Sequence, residues 1–367
     1  MKKILTLLLC ITYAFSQNIN YAVSNIHTLT LNEGKFDLYT SLLKMNDKID
    51  IFNIKKQEIG SNMRYDAIGD LTGYSLGLRY GISDHLMVSY TRTYQKIEYS
   101  SDQINNKRDN VFLRYNLYQS PYAFFNSGIA VDIGFERNKL DDFYLRDITT
   151  INDLIKKIVP DNKAEIRYSD GSTIFENDPF PSEKGYYAFF DGKRSGPLKE
   201  DPYIALVNTH DESIYFRVLS GFYTSVYLTD FYIGYKKTKI KNLVTTTDEL
   251  IQLAADKSYD LEKNLDRYES TVFIGFNHSF NYKKFIFELN YEFERFIRNK
   301  DLGYINYNHI INASISYLLT KNLQINIGGK FMYRQFNGQI PYLYNQYTQT
   351  SYDHKYGYAK FGIIYSF

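Results

Sequence analysis

His278 and Ser279 are the nearest approach in this chain to a nucleophile beside a base, the pairing that covalent catalysis requires. They are neighbours in an alternating stretch. Adjacent strand residues point to opposite faces, so the two cannot share a proton on one surface without a bulge. His309 meets the same obstacle, because its same-face neighbours are Tyr307 and Ile311. Asp141-Asp142 and His210-Asp211 would supply the acids and imidazole of an acid-and-histidine hydrolase, provided that the surrounding strand ends converge. The six histidines are scattered and none has a partner at helical i, i+4 spacing. Asp141-Asp142 also lacks the ligand pattern of a calcium loop. Gly328-Gly329 lacks the spacing of a phosphate-binding loop and reads as strand relief or a bulge. The expectation is a protein that is not an enzyme and needs no cofactor or metal.

A second set of charged residues falls at every other position of alternating segments. Arg79, Arg114, Asp132, Arg217, Lys236, Glu288, Glu292, Lys330, Arg334 and Lys360 would then share the face opposite the aromatics, with Glu136, Asn290, Asn312 and Asn326 among them. These are expected to line a pore. Bases and acids come from different strands, so they either set a transverse field across a water path or pair and fill the interior. The inward glycines Gly77, Gly128, Gly134, Gly234 and Gly362 are expected to keep that interior open.

The elements that must position these side chains are strands. About twelve segments alternate apolar and polar residues, the period of two of a strand with one polar face. An even count brings the first, near Lys35 to Met45, beside the last, where Ala359, Phe361, Ile363, Tyr365 and Phe367 share a face. The expected fold is all-β, an antiparallel transmembrane β-barrel with long extracellular loops and one or two short loop helices. Short links are read at Ser83-Asp84-His85, Gln119 to Tyr122, Thr229 to Asp230, Tyr282 to Lys284 and Leu319 to Asn322. Longer polar connections are read at about 46–69, 98–109, 137–212, 243–267, 298–303 and 337–354. The insertion 137–212 carries a predicted helix over Ile148 to Ile158, and the insertion 243–267 an amphipathic one over Asp248 to Arg267. Both are expected to cover the mouth or to decorate the surface.

Composition agrees with that class. The chain has 37 Tyr and 26 Phe, no Trp and 23% charged residues, with a mean hydropathy of −0.40. Lipid-facing and lumen-facing residues in alternation, with aromatic girdles, produce this mixture. No run of about twenty apolar residues is present, so membrane helices are excluded. A net charge of +2 argues against nucleic acid as a partner. Lys2-Lys3, the apolar run Ile4 to Ile11 and Ala14-Phe15-Ser16 form a secretory signal peptide, residues 1–16, leaving 17–367 as one barrel domain. Cys10, the only cysteine, falls inside it. Reading Leu7-Leu8-Leu9-Cys10 as a lipidation box is the lesser alternative, since Leu9 is not a small residue. The expected location is the outer membrane of a Gram-negative cell.

The run Tyr358-Ala-Lys-Phe-Gly-Ile-Ile-Tyr-Ser-Phe367 resembles the terminal strand of Gram-negative outer-membrane β-barrels. That resemblance implies an assembly signal made by Phe361, Ile363, Tyr365 and Phe367, with the barrel-assembly machinery and outer-membrane lipid as partners. The stretch Tyr74-Ser-Leu-Gly-Leu-Arg-Tyr-Gly-Ile-Ser-Asp-His-Leu-Met-Val88 is similar to the first periplasmic hairpin of small-solute channels such as the meta-pathway phenol-degradation transporters. It implies passive diffusion of small solutes. The competing readings are a closed barrel that scaffolds surface loops for binding or adhesion, and an outer-membrane hydrolase.

Overall fold

The computed structural model describes residues 28–50, 68–99, 102–121, 126–158, 164–173, 175, 183–224, 226–247, 250, 264–299, 306–334, 336–344 and 355–367. The leader, its Cys10 and most of the amphipathic stretch Asp248 to Arg267 lie outside the described residues.

Five strands come first: β1 (Phe36–Met45), β2 (Ile68–Ser83), β3 (Leu86–Tyr99), β4 (Asp102–Pro121) and β5 (Asn126–Leu140). An insertion follows, with the short β6 (Phe143–Leu145), helix α1 (Ile148–Ile158) and a separate three-stranded sheet of β7 (Ala164–Asp170), β8 (Lys184–Phe190) and β9 (Lys193–Pro197). Seven more strands complete the barrel: β10 (Ile204–Tyr223), β11 (Tyr227–Thr246), β12 (Arg267–Tyr282), β13 (Phe285–Arg298), β14 (Tyr307–Leu318), β15 (Leu323–Met332) and β16 (Tyr356–Ser366). Each pairs antiparallel with its neighbour, β5 pairs across the insertion with β10, and β16 pairs with β1 from Asp37↔Ser366 to Lys44↔Ala359. The result is a closed barrel of twelve strands.

Alternation separates two surfaces on every strand. Outward positions hold Leu42, Leu76, Ile133, Ile214, Ile233 and Ile327, all exposed, with Ile214 the most at 65%. Apolar side chains left this bare along a whole sheet are costly in water and suit a lipid surface. Near the short turns the outward face is aromatic: Tyr227 stacks on Phe280 at 5.4 Å, and Phe285 meets Tyr317 at 5.0 Å. Phe361, Ile363, Tyr365 and Phe367 belong to this outward face, and Phe367 stacks on Phe36 of β1 at 4.1 Å.

Short links join the strands at one end, at 84–85, 224–226, 283–284 and 319–322. Thr229 and Asp230 do not form one of them. They sit inside β11, where the Asp230 side chain is buried in the lumen and accepts the Thr28 amide at 2.8 Å. The acidic turn signature is therefore an interior contact. Pairing also runs further than hydropathy suggests, because β3 and β4 stay in register up to Tyr99↔Asp102 through the polar stretch 98–109. Backbone hydrogen bonds do not require apolar side chains. Likewise β5 and β10 extend into the 137–212 stretch, with His210↔Lys139 paired, and the helix at Ile148–Ile158 forms as predicted.

Three of the inward glycines do not open the interior. A side chain at Gly77 would overlap the Tyr39 ring, at Gly134 the Tyr215 ring and at Gly234 the Phe273 ring. Each of these three sits under an aromatic from an adjacent strand, whereas Gly128 and Gly362 meet no ring. Gly328 and Gly329 carry no bulge, since β14 and β15 keep unbroken register through them.

Gly134→Val should force Tyr215 off its seat and cost about 1–3 kcal/mol, as overpacking of a filled interior does. A lower temperature for loss of the compact, fast-migrating band in unheated electrophoresis would register it. Gly329→Ala, whose added carbon meets only the Tyr358 carbonyl at 3.5 Å, should leave that temperature unchanged.

Candidate functional site

Arg114 and Arg217 project inward from β4 and β10 onto one carboxylate, Asp132 of β5, which lies between them in the sheet. Arg114 donates from Nε at 2.8 Å and from Nη2 at 3.0 Å, and Arg217 from Nε at 2.9 Å. Side-chain exposure is 0% for Arg114 and Asp132, and the Arg217 guanidinium also lies over the Tyr232 ring at 5.6 Å. A buried charge is tolerated when opposite charges and hydrogen bonds surround it. Arg108 and Glu136 repeat the arrangement nearer the loops, at 2.6 Å, and Arg79 and Asp37 near the short turns, at 2.8 Å. Asp132 and its two arginines fill one side of the lumen together with Tyr232, Phe273, Ala130 and Leu219.

Two segments that are not strands close the lumen at its ends. At the short-turn end residues 28–32 cross the opening. The Thr28 carbonyl accepts from Asn116 at 3.2 Å, the Leu29 carbonyl from Arg114 at 3.4 Å, and the Thr30 hydroxyl donates to the Asp84 carbonyl at 2.6 Å. At the loop end the segment 336–344, between β15 and β16, folds down inside the barrel as a turn followed by a short 3-10 helix, Pro341–Leu343. Its carbonyls are taken one by one by wall side chains: Asn337 by Asn308 at 2.9 Å, Gly338 by Lys236 at 2.7 Å, Gln339 by Asn138 at 3.0 Å, Pro341 by Arg267 at 2.7 Å and Tyr342 by Asn242 at 2.9 Å. The Tyr342 hydroxyl donates to Asn106 at 2.7 Å. Around it the wall turns apolar, with Met45, Leu71, Ile97, Ile104, Leu140, Ile240, Ile310 and Met332 packed against Phe336, Ile340 and Leu343.

Between these closures a cavity of about 300 Å³ remains on the side formed by β1–β3 and β13–β16. Its lining is hydroxyl- and amide-rich, through Ser41, Ser75, Thr93, Asn290, Asn312 and Asn326, with Arg108, Glu288, Lys330 and Lys360 as its charges.

The residues expected to line a pore are thus divided. Glu288, Lys330 and Lys360 border the cavity. Arg79, Arg114, Asp132 and Arg217 are consumed in ion pairs, and Lys236 holds the inserted segment. Glu292 stands beside the Tyr232 hydroxyl. Arg334 lies past the end of β15, its amide bonded to Asn308 at 2.8 Å and its guanidinium over Tyr307 and Tyr333, so strand alternation does not extend to it. Hydropathy reasoning missed the inserted segment, although Ile340-Pro341-Tyr342-Leu343-Tyr344, an apolar run inside a polar connection, was its signal.

The candidate catalytic groups stay apart. His278 faces outward and receives or donates a hydrogen bond with Thr229 at 2.8 Å, while Ser279 is buried on the lumen face. His309 pairs with the Tyr291 hydroxyl at 2.8 Å. Asp141 binds Lys107 at 2.8 Å, and Asp211 accepts from Asn138 on the inner face, away from the His210 ring. Among the described residues no group of three or more His, Cys, Asp or Glu could hold a metal ion.

No family model matches the sequence, and no curated protein does. Solved structures are similar over nearly the whole chain. The translocator domain of the autotransporter NalP from Neisseria meningitidis matches with a TM-score of 0.46 and 7% identity, covering 99% of this chain and 95% of that one. A Pseudomonas aeruginosa FadL homologue matches at 0.40 and 10%, covering 91% and 89%, and the NanC porin at 0.38 and 9%, covering 90% and 98%.

Gly338 is the weak point of the inserted segment. Its φ of 78° is a backbone conformation that L side chains rarely adopt, and an added Cβ would meet the Glu294 carboxylate at 2.5 Å. Gly338→Val should therefore lift the segment. With Cys10 mutated, a cysteine placed by Gln339→Cys should resist a water-soluble maleimide in the parent and react about tenfold faster when Gly338→Val is added, the signature of a local opening.

Proposed function

We propose that this protein is an outer-membrane channel that passes small polar solutes by diffusion, with access from the cell surface restricted by the inserted segment 336–344. The polar cavity carries the reading. A barrel built only as a scaffold has no need of an interior space lined by hydroxyls, amides and charges, because side chains alone fill a small barrel. The exposed outward band meets outer-membrane lipid, the short turns face the periplasm, and the long connections face outside. In this reading the leader 1–16 exports the chain. The outward Phe361, Ile363, Tyr365 and Phe367 of β16 serve as the signal for the barrel-assembly machinery. The function is non-enzymatic, in keeping with candidate nucleophiles and bases that lie on opposite faces.

One observation favours the closed scaffold as a second reading: both ends of the lumen are covered, and the loop-end closure has an apolar core. Planar-bilayer recordings separate the two. The channel reading expects small, discrete currents from the parent and currents at least about threefold larger when 336–344 is replaced by a short Gly-Ser linker, since a constriction sets conductance. Silence from the parent, the linker variant and Gly338→Val alike, in protein that still migrates as a folded barrel, would overturn it.

A further inference from the structure

Lys330 and Lys360 stand on adjacent strands of the cavity wall. Lys330 pairs with Tyr358, and Lys360 with Gly328, so the two lysines are diagonal neighbours on the same inward face. Like charges in that relation repel, at separations that long side chains easily close. Among the described residues neither ammonium makes a hydrogen bond or an ion pair, whereas Arg79, Arg108, Arg114 and Arg217 inside the same barrel are each matched with an acid. Both lysines are half-buried.

The neighbouring positions leave room for a guest. Gly328, Gly329, Gly362 and Ala313 border the same cavity, so the wall beside the ammonium groups is low where aromatics cover the glycines on the other side of the barrel. Arg108 also borders the cavity but is matched by Glu136, and Glu288 is the sole acid among the cavity's lining residues. The acid is partly engaged, its Oε2 accepting from Ser314 at 3.5 Å. The remaining lining presents hydroxyls and amides, which suit a solute carrying several hydroxyl groups.

We propose that this cavity is a binding site for a small polyhydroxylated carboxylate, with Lys330 and Lys360 receiving the carboxylate and the Ser, Thr and Asn side chains of the wall receiving the hydroxyls. The site gives the channel a preference for anionic solutes. The assignment rests on the channel reading for its role in the cell, but its measurement does not.

D-glucuronate and D-glucose differ at one carbon and test the charge directly. Equilibrium dialysis of the full-length protein in detergent should show glucuronate binding about tenfold more tightly than glucose, the scale of a hydrogen-bonded charge. Lys330→Gln with Lys360→Gln should abolish that difference while the barrel stays folded, because the change removes repulsion. Glu288→Gln should increase it. Equal binding of the two sugars by the parent, tighter binding of glucosamine than of glucuronate, or a preference that survives the double substitution would each overturn the site. Glucuronate binding in a protein that never conducts would refute the channel and leave the site standing. Conductance with equal sugar binding would do the reverse.

Discussion

The pairing of β16 with β1 is the constraint on which the rest of the molecule depends. Without it the sheet would have two edges, and the unpaired amides and carbonyls along Asp37 to Lys44 and Ala359 to Ser366 would face a medium with no water to satisfy them. Once closed, the sheet has an outside and an inside, and every residue's fate follows from the parity of its position. Leu42 and Phe361 are then outward and exposed, while Leu43 and Lys360 on the same two strands are inward.

Closure also creates the problem that the interior solves. A lumen lined by arginines and carboxylates has little bulk water, so each charge needs a partner inside the wall. Asp132 between Arg114 and Arg217 is the tightest instance, and the Tyr215, Tyr232 and Phe273 rings laid over glycines fill the remaining space on that side. On the opposite side Gly328, Gly329 and Gly362 lie under no aromatic ring, and Lys330 and Lys360 make no ion pair among the described residues. The barrel is thus asymmetric in section, packed along β4, β5 and β10–β12 and hollow along β1–β3 and β13–β16, which puts any solute path off the axis.

Strand length explains the inserted segment. β10 and β11 are 20 residues each, whereas about 9–11 residues cross a bilayer. The loop end therefore stands clear of the hydrocarbon layer, where the inner wall is free to turn apolar and enclose a core of the kind found in soluble proteins. Phe336, Ile340 and Leu343 supply the centre of that core, and the polar carbonyls of the same segment are matched by Lys236, Asn138, Arg267 and Asn242. Apolar packing and hydrogen bonds hold one segment at one depth.

The barrel was legible in the sequence because a strand with two unlike faces must alternate, and alternation survives without any knowledge of partners. The parity of β16, with Phe361, Ile363 and Tyr365 outward and Lys360 inward, could be read from its eleven residues alone. The short turns at 84–85, 283–284 and 319–322 were legible for the same local reason, and the turn placed at Thr229-Asp230 failed because that aspartate serves a contact 202 residues away in the chain. Whether an inward charge meets water, an opposite charge or a plug is decided across strands. Arg114 and Lys330 look alike in sequence, each a base at an inward position, yet Asp132 stands beside one, whereas the neutral Asn312 and Tyr358 flank the other. Parity is a property of one strand and is written in it. Neighbourhood depends on register, closure and the path of residues 336–344, which only the assembled barrel determines.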